Sequence, residues 1–251
     1  MTELADRIAL VTGASRGIGA ATAQALVAAG AKVALLARSE ADISRLAQEI
    51  GDAAIAIRCD VAQANDVAAA VAQTVAHFGA LDIVVNNAGL IDPVARIEDS
   101  DPAEWGRVVD VNVKGVYHVM HAAYPALCRG GGVIVNLSSG AATGALEGWS
   151  HYCATKAAVL SLTRCAHKEW AEQGVRVVGL SPGTVATNMQ EVIRDSGVNP
   201  VSQLDWSAHI PPEDAAQAIV YLCTADARVH DGGDFSIKTE EGRHLAGLAP
   251  R

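Results

Sequence analysis

Three side chains in the stretch Ser139–Lys156 (SGAATGALEGWSHYCATK) have the types and spacing needed to move a proton to or from an oxygen. Tyr152 and Lys156 are four apart, and the run that follows (AAVLSLTRCAHKEWA) has the 3.6-residue apolar period of a helix. Residues four apart share a helix face, so the ammonium is expected beside the phenol. A free tyrosine ionises near ~10, and a neighbouring positive charge favours the phenolate and lowers that value. Such a phenol can give a proton to a carbonyl oxygen or take one from an alcohol. Ser139, at the end of the apolar run GVIVNLS, can hydrogen-bond the same oxygen from the other side. Y-x-x-x-K alone is a common spacing, so its weight comes from its surroundings.

Those surroundings alternate. Short apolar runs (RIALVT, KVALLA, AAIAIRC, LDIVVNN, GVIVNLS, VRVVGLS, DFSIK) read as strands. Amphipathic stretches at about 17–29, 40–50, 63–78, 101–128, 151–173 and 212–225 read as helices. Near-continuous apolar strands separated by helices predict an α/β fold: a single Rossmann-type, doubly wound parallel sheet with helices on both faces. With no repeat, low-complexity tract or linker, one domain is expected over residues 1–251, long enough for a full core. The poorly patterned segment 184–211 is too long for an ordinary connection and is expected to be a lid or a mobile loop.

The first strand candidate runs into Thr12-Gly13-Ala14-Ser15-Arg16-Gly17-Ile18-Gly19, and a helix of small residues follows. Glycines here let the backbone turn tightly and approach a pyrophosphate, whose charge meets the helix N-terminus. The spacing is G-x-x-x-G-x-G rather than the commoner G-x-G-x-x-G. Charge and cysteine usage exclude other classes. A net charge of -9 argues against a nucleic-acid partner. The longest apolar runs fall short of a membrane span, and the leading MTELADR has no signal pattern. Five scattered cysteines without C-x-x-C spacing predict reduced thiols, with neither a disulfide frame nor a zinc site. His118 and His121 share a helix face, yet no carboxylate or cysteine completes a metal site. They, His151 and Cys153 are read as ordinary helix residues.

Taken in order, Gly13–Gly19, Asn86-Asn87-Ala88-Gly89, Asn112, Ser139, Tyr152, Lys156 and Pro182-Gly183 make the chain resemble the short-chain dehydrogenase/reductase family, from Arg7 to about Lys238. The resemblance implies Tyr152 as acid/base and Lys156 as the residue that holds the nicotinamide ribose and lowers the tyrosine pKa. It implies Ser139 as the residue orienting the substrate carbonyl and Asn112 as the holder of a relay water. For the cofactor it implies Gly13, Ser15, Arg16, Gly17, Ile18 and Gly19, then Asp60 and Val61 at the adenine. Asn87, Ala88 and Gly89 would line the same site, with Pro182, Gly183, Val185 and Thr187 at the nicotinamide.

The particular cofactor is read from the second strand. A carboxylate at its end would accept from the ribose 2′-OH of NAD. Ala37 stands there, followed by Arg38, with Arg16 facing the same corner; two guanidiniums without an acid suit the 2′-phosphate of NADP(H). Trp149, three before Tyr152 in GW-x-x-Y, resembles the sepiapterin- and benzil-reductase branch of the family, which implies a ketone or vicinal dicarbonyl in a pocket of Ser139, Trp149 and Met189. The expectation is thus an NADPH-dependent carbonyl reductase acting on a small molecule. The alternatives are oxidation of a secondary alcohol, turnover of a 3-oxoacyl thioester, or a non-catalytic cofactor-binding regulator. The reduced thiols suggest a cytoplasmic protein, and the family implies a homo-oligomer, a tetramer or a dimer. The ending DGGDFSIKTEEGRHLAGLAPR departs from the family's usual T-G-x-x-x-x-V-D-G-G, so subunit contacts there are not carried over.

Overall fold

The computed structural model describes residues 4–251, so the first three positions of the MTELADR segment lie outside it. Seven parallel strands form one sheet in the order β3-β2-β1-β4-β5-β6-β7. They are β1 (Ile8–Thr12), β2 (Lys32–Ala37), β3 (Ala54–Arg58), β4 (Ile83–Asn86), β5 (Val133–Leu137), β6 (Arg176–Ser181) and β7 (Asp234–Ser236). β2 matches its apolar run, and the others are one to three residues shorter than theirs. Every residue of β1, β4 and β5 is buried, as a strand covered on both faces requires.

The period-two alternation sorts these side chains into two cores. Val11, Leu35, Ile83 and Val135 face α1 (Gly17–Ala28), α2 (Glu40–Ile50) and α8 (Pro212–Cys223). Leu10, Leu36, Val84 and Ile134 face α3 (Ala64–Phe78), α5 (Gly115–Leu127) and α6 (Ser150–Trp170). The chain order reverses between β1 and β4, so their following loops part at the carboxyl edge, where α/β sheets bind ligands. A buried polar link ties this edge to α6: Asn86 donates to Asn136 at 2.8 Å, and Asn136 donates to Thr163 at 2.9 Å.

Two expectations change, and the tail takes on structure. The helix expected over 101–128 is α4 (Pro102–Val109), a wide π-type turn over Asp110–Lys114, and α5. One residue more per turn lets Asn112 point inward, where it accepts from the Leu90 N–H at 2.8 Å and donates to the Leu90 carbonyl at 2.9 Å. The segment 184–211 is not an irregular loop. It holds α7 (Asn188–Ser196), 3-10 turns at Pro200–Gln203 and Trp206–Ala208, and a β-bridge from Val185 to Ile210. Its short apolar anchors, such as Ile193 at 1 % exposure, bury against the β5–α6 side and were too sparse to show a period. The charged tail forms α9 (Glu240–Leu245), clamped to α8 by Arg243 donating to Asp214 at 2.9 Å.

Candidate active site

The loops at the carboxyl edge enclose a cavity of about 1000 Å³. One end lies after β2 and β3, with Arg16, Arg38 and Asp60 on its wall; the other lies against α6 and α7, with Trp149 and Met189. Nearly every residue singled out from the sequence borders this space. Gly13, Ser15, Arg16, Gly17 and Ile18 come from the first loop, and Asp60 and Val61 from the third strand's end. Asn87, Ala88, Gly89, Ser139, Tyr152 and Lys156 follow, then Pro182, Gly183, Val185 and Thr187. Gly19 and Asn112 do not line it and shape it from behind. A Cβ on Gly19 would overlap the Gly13 carbonyl oxygen, so α1 starts hard under the loop. Asn112 spends its amide on Leu90 and on Thr155, the latter at 3.2 Å.

The glycine loop fits a phosphate-bearing cofactor. Gly17 has φ +55°, and a Cβ there would come within 3.2 Å of the Thr187 methyl, closing the gap in front of the α1 N-terminus. No acidic side chain sits in the first turn of α1 to compete for that positive end. The loop is braced by Asn87, whose amide donates to the Thr12 carbonyl at 2.8 Å and the Gly13 carbonyl at 3.2 Å. At the far corner Ala37 ends β2 without a carboxylate. Asp42 also borders the cavity there, but Ser39 donates to it at 2.5 Å and Arg45 at 3.3 Å.

Tyr152 and Lys156 lie one turn apart on α6, and both are buried. Lys156 Nζ sits 5.5 Å from the Tyr152 ring centroid and donates to the Leu137 carbonyl at 2.6 Å. The expectation that the ammonium depresses the phenol does not hold. Burial pushes Tyr152 up to about 12, against a smaller downward pull from the Ser139 hydroxyl. Burial likewise lowers Lys156 to about 8, with the Asp234 carboxylate opposing. Desolvation leads for both groups, because each has left water, which penalises its charged form. The phenol is therefore a loaded proton donor at neutral pH.

Trp149 precedes α6 and is 5 % exposed, its indole edge-on to Tyr152 with centroids 5.5 Å apart. Ile91, Ala141 and Ile193 pack with it, and Leu146, Met189, Val192 and Val201 extend the apolar wall; Cys153 packs there too. Sequence reasoning missed Ile91, which His151 holds: His151 is fully buried and its Nε2 lies 2.5 Å from the Ile91 carbonyl. A histidine beside Tyr152 was the only signal available. His118 Nδ1 reaches the Val61 carbonyl at 2.9 Å, and His121 stacks on Tyr117, so both are structural. Among the described residues no cluster of three His, Cys, Asp or Glu could hold a metal, no helix is long and apolar enough to cross a membrane, and all five cysteines are free.

A nucleotide-sized cavity at the switch point of a parallel sheet, with a buried tyrosine–lysine pair on its wall, defines an oxidoreductase site of the nicotinamide-dependent Rossmann class. Residues 7–197 match the family model described as short chain dehydrogenase, and the chain belongs to that family. An uncharacterized oxidoreductase of Staphylococcus haemolyticus is 38 % identical over 232 residues, covering 92 % of this chain and 96 % of the relative. A cis-4-hydroxycyclohexanecarboxylate dehydrogenase of Sinomonas cyclohexanicum is 36 % identical over 229 residues, 88 % and 90 % of the two chains. The crystal structure of a 3-ketoacyl-(acyl-carrier-protein) reductase from Brucella melitensis, complexed with NADH, superposes with TM-score 0.83 at 34 % identity, covering 93 % of this chain and 97 % of that one.

The perturbed ionisations can be read without turnover. Absorbance at 295 nm, compared with Tyr152→Phe, should show no phenolate from Tyr152 below about pH 11. Lysine NMR referenced to Lys156→Arg should show one side chain losing its proton near about 8. A Tyr152 step below 10 would mean that the lysine charge, not burial, dominates.

Proposed function

We propose that the protein is an NADP(H)-dependent oxidoreductase that reduces a ketone or dicarbonyl to a secondary alcohol. The observation that carries this reading is the Tyr152 phenol, buried at the cavity wall one helical turn from Lys156. When bound, the nicotinamide cofactor supplies the hydride that reaches the carbonyl carbon. Tyr152 gives its proton to the carbonyl oxygen as negative charge develops there. Ser139 hydrogen-bonds the same oxygen and holds it in line. Lys156, fixed by the Leu137 carbonyl, keeps a positive charge behind the phenol and holds the cofactor's ribose. Asn112 supports the site through Leu90 and Thr155.

Cofactor choice rests on Arg16 and Arg38, which border the cavity where β2 ends in Ala37. Paired guanidinium hydrogen bonds suit a 2′-phosphate. Substrate choice rests on the apolar wall of Trp149, Met189 and their neighbours, which favours a cyclic or aryl ketone over a polar one. A second reading, oxidation of a cyclic secondary alcohol or turnover of a 3-oxoacyl thioester, is favoured by the activities for which the Sinomonas and Brucella relatives are named.

Three substitutions test the reading. Tyr152→Phe should abolish ketone reduction while NADPH binding stays nearly intact, since the ring remains and only the proton donor goes; substantial residual turnover would remove Tyr152 from its role. Arg38→Asp should turn preference towards NADH, measured as kcat/KM for both cofactors. A wild-type enzyme that already prefers NADH would refute the arginine argument. Trp149→Ala should lower kcat/KM for an aryl diketone by up to about tenfold more than for a small aliphatic ketone, the worth of one aromatic contact of ~0.5–1.5 kcal/mol. Equal losses on both, with a lower Tm, would make Trp149 purely structural.

A further inference from the structure

The departure at the chain's end brings one more charge to the cavity. β7 pairs with β6 in the register Gly179↔Asp234, Leu180↔Phe235 and Ser181↔Ser236. Two residues further along, Lys238 stands beside Gly183, whose φ is +85°. A Cβ on Gly183 would lie 3.1 Å from Lys238 Cγ and 3.5 Å from Cδ, so the lysine stem lies over the bare glycine backbone. The Lys238 N–H donates to Ser236 Oγ at 3.3 Å, which closes the turn leaving the strand. Its side chain borders the same cavity as Tyr152 and Lys156.

Four cations border that space: Arg16, Arg38, Lys156 and Lys238. The first two lie at the β2–β3 end, and Lys156 donates to Leu137. Lys238 is at the β6–β7 end, and among the described residues its ammonium has neither a carboxylate within ion-pair distance nor a hydrogen-bond acceptor. The carboxylates of Asp42 and Asp60 belong to the opposite end, where Ser39 and the Ala62 N–H hold them. Asp92 is on the loop after β4. An exposed ammonium on a stem that lies over a glycine shelf at the cavity's edge, unmatched by protein, is suited to an anion brought by the occupant.

We propose that Lys238 is an anion-recognition residue of this cavity, its ammonium taking an oxygen of a carboxylate or phosphate carried by the bound molecule. The inference rests on the reading of the cavity as a site for a nicotinamide cofactor and a ketone. Two sources supply that chemistry: a carboxylate on the substrate, or the phosphates of the cofactor. One charge-assisted hydrogen bond, partly open to water, is worth about tenfold in affinity and weakens as salt screens it.

The test uses Lys238→Met, which keeps a stem over Gly183 and removes the charge, and Lys238→Arg, which restores a cation. KM is measured for cyclohexanone, 4-oxocyclohexanecarboxylate and NADPH, with calorimetric Kd for the last two. A rise of about tenfold for 4-oxocyclohexanecarboxylate, with cyclohexanone unchanged and Lys238→Arg restoring affinity, assigns the anion to the substrate. A comparable rise in KM and Kd for NADPH assigns it to the cofactor. Unchanged values for both anions overturn the proposal, and so does an equal loss on cyclohexanone with a lowered Tm. Wild type that turns over neither ketone refutes the reductase reading alone, because the two calorimetric Kd values still decide the role of Lys238.

Discussion

The Thr12 hydroxyl holds together the two loops on which the cavity depends. It accepts the Asn87 and Ala88 N–H groups, both at 3.0 Å, and donates to the Val85 carbonyl at 3.3 Å. The Asn87 amide returns the bond to the Thr12 and Gly13 carbonyls. At a switch point the sheet stops pairing just where its neighbouring strands part, leaving backbone groups without ladder partners. The Thr12–Asn87 interlock satisfies them and fixes the glycine loop against the loop after β4. A Cβ on Gly13 would come within 2.9 Å of both the Ala88 Cα and the Asn87 amide nitrogen, which leaves no space for a larger residue. The approach of loop to loop, and hence the mouth of the cavity, follows from that contact.

The chemistry depends on a second constraint, the removal of Tyr152 and Lys156 from water. A salt-exposed pair at this spacing would do little to either group. Buried, each loses the hydration that stabilises its charged form, and the two move towards neutrality from opposite sides, the phenol to about 12 and the ammonium to about 8. The Leu137 carbonyl offsets part of the cost for Lys156 and fixes where its charge sits.

The apolar wall is built by parts of the chain that share no sequence pattern. Trp149 heads α6, Ile91 hangs from the loop after β4, and Met189 and Ile193 come from α7. His151 fastens the first two groups together through the Ile91 carbonyl, while Asn199 donates to the Glu147 carbonyl at 3.0 Å and fastens the α7 side. The wall is thus a packed unit with its own polar clasps, which is why this side of the cavity is ordered without any strand beneath it.

How much of this was legible in the chain varies with the range of the interaction. Strand and helix positions, the glycine turn and the Tyr152–Lys156 face depend on neighbours within a few residues, and local periodicity and spacing report those directly. The sequence by itself determined the doubly wound sheet and the family resemblance, and nearly every residue it singled out borders the cavity, though these make up only about half of the lining. Only the tertiary structure decided the sign of the Tyr152 shift, because burial is the sum of contacts from distant parts of the chain and no spacing encodes it. It also decided the order within 184–211, whose few apolar anchors gain meaning only against the α6 side. The position of Lys238 over Gly183 was settled the same way: β6 and β7 meet through backbone hydrogen bonds, and side-chain patterning says little about which residue a strand end will face.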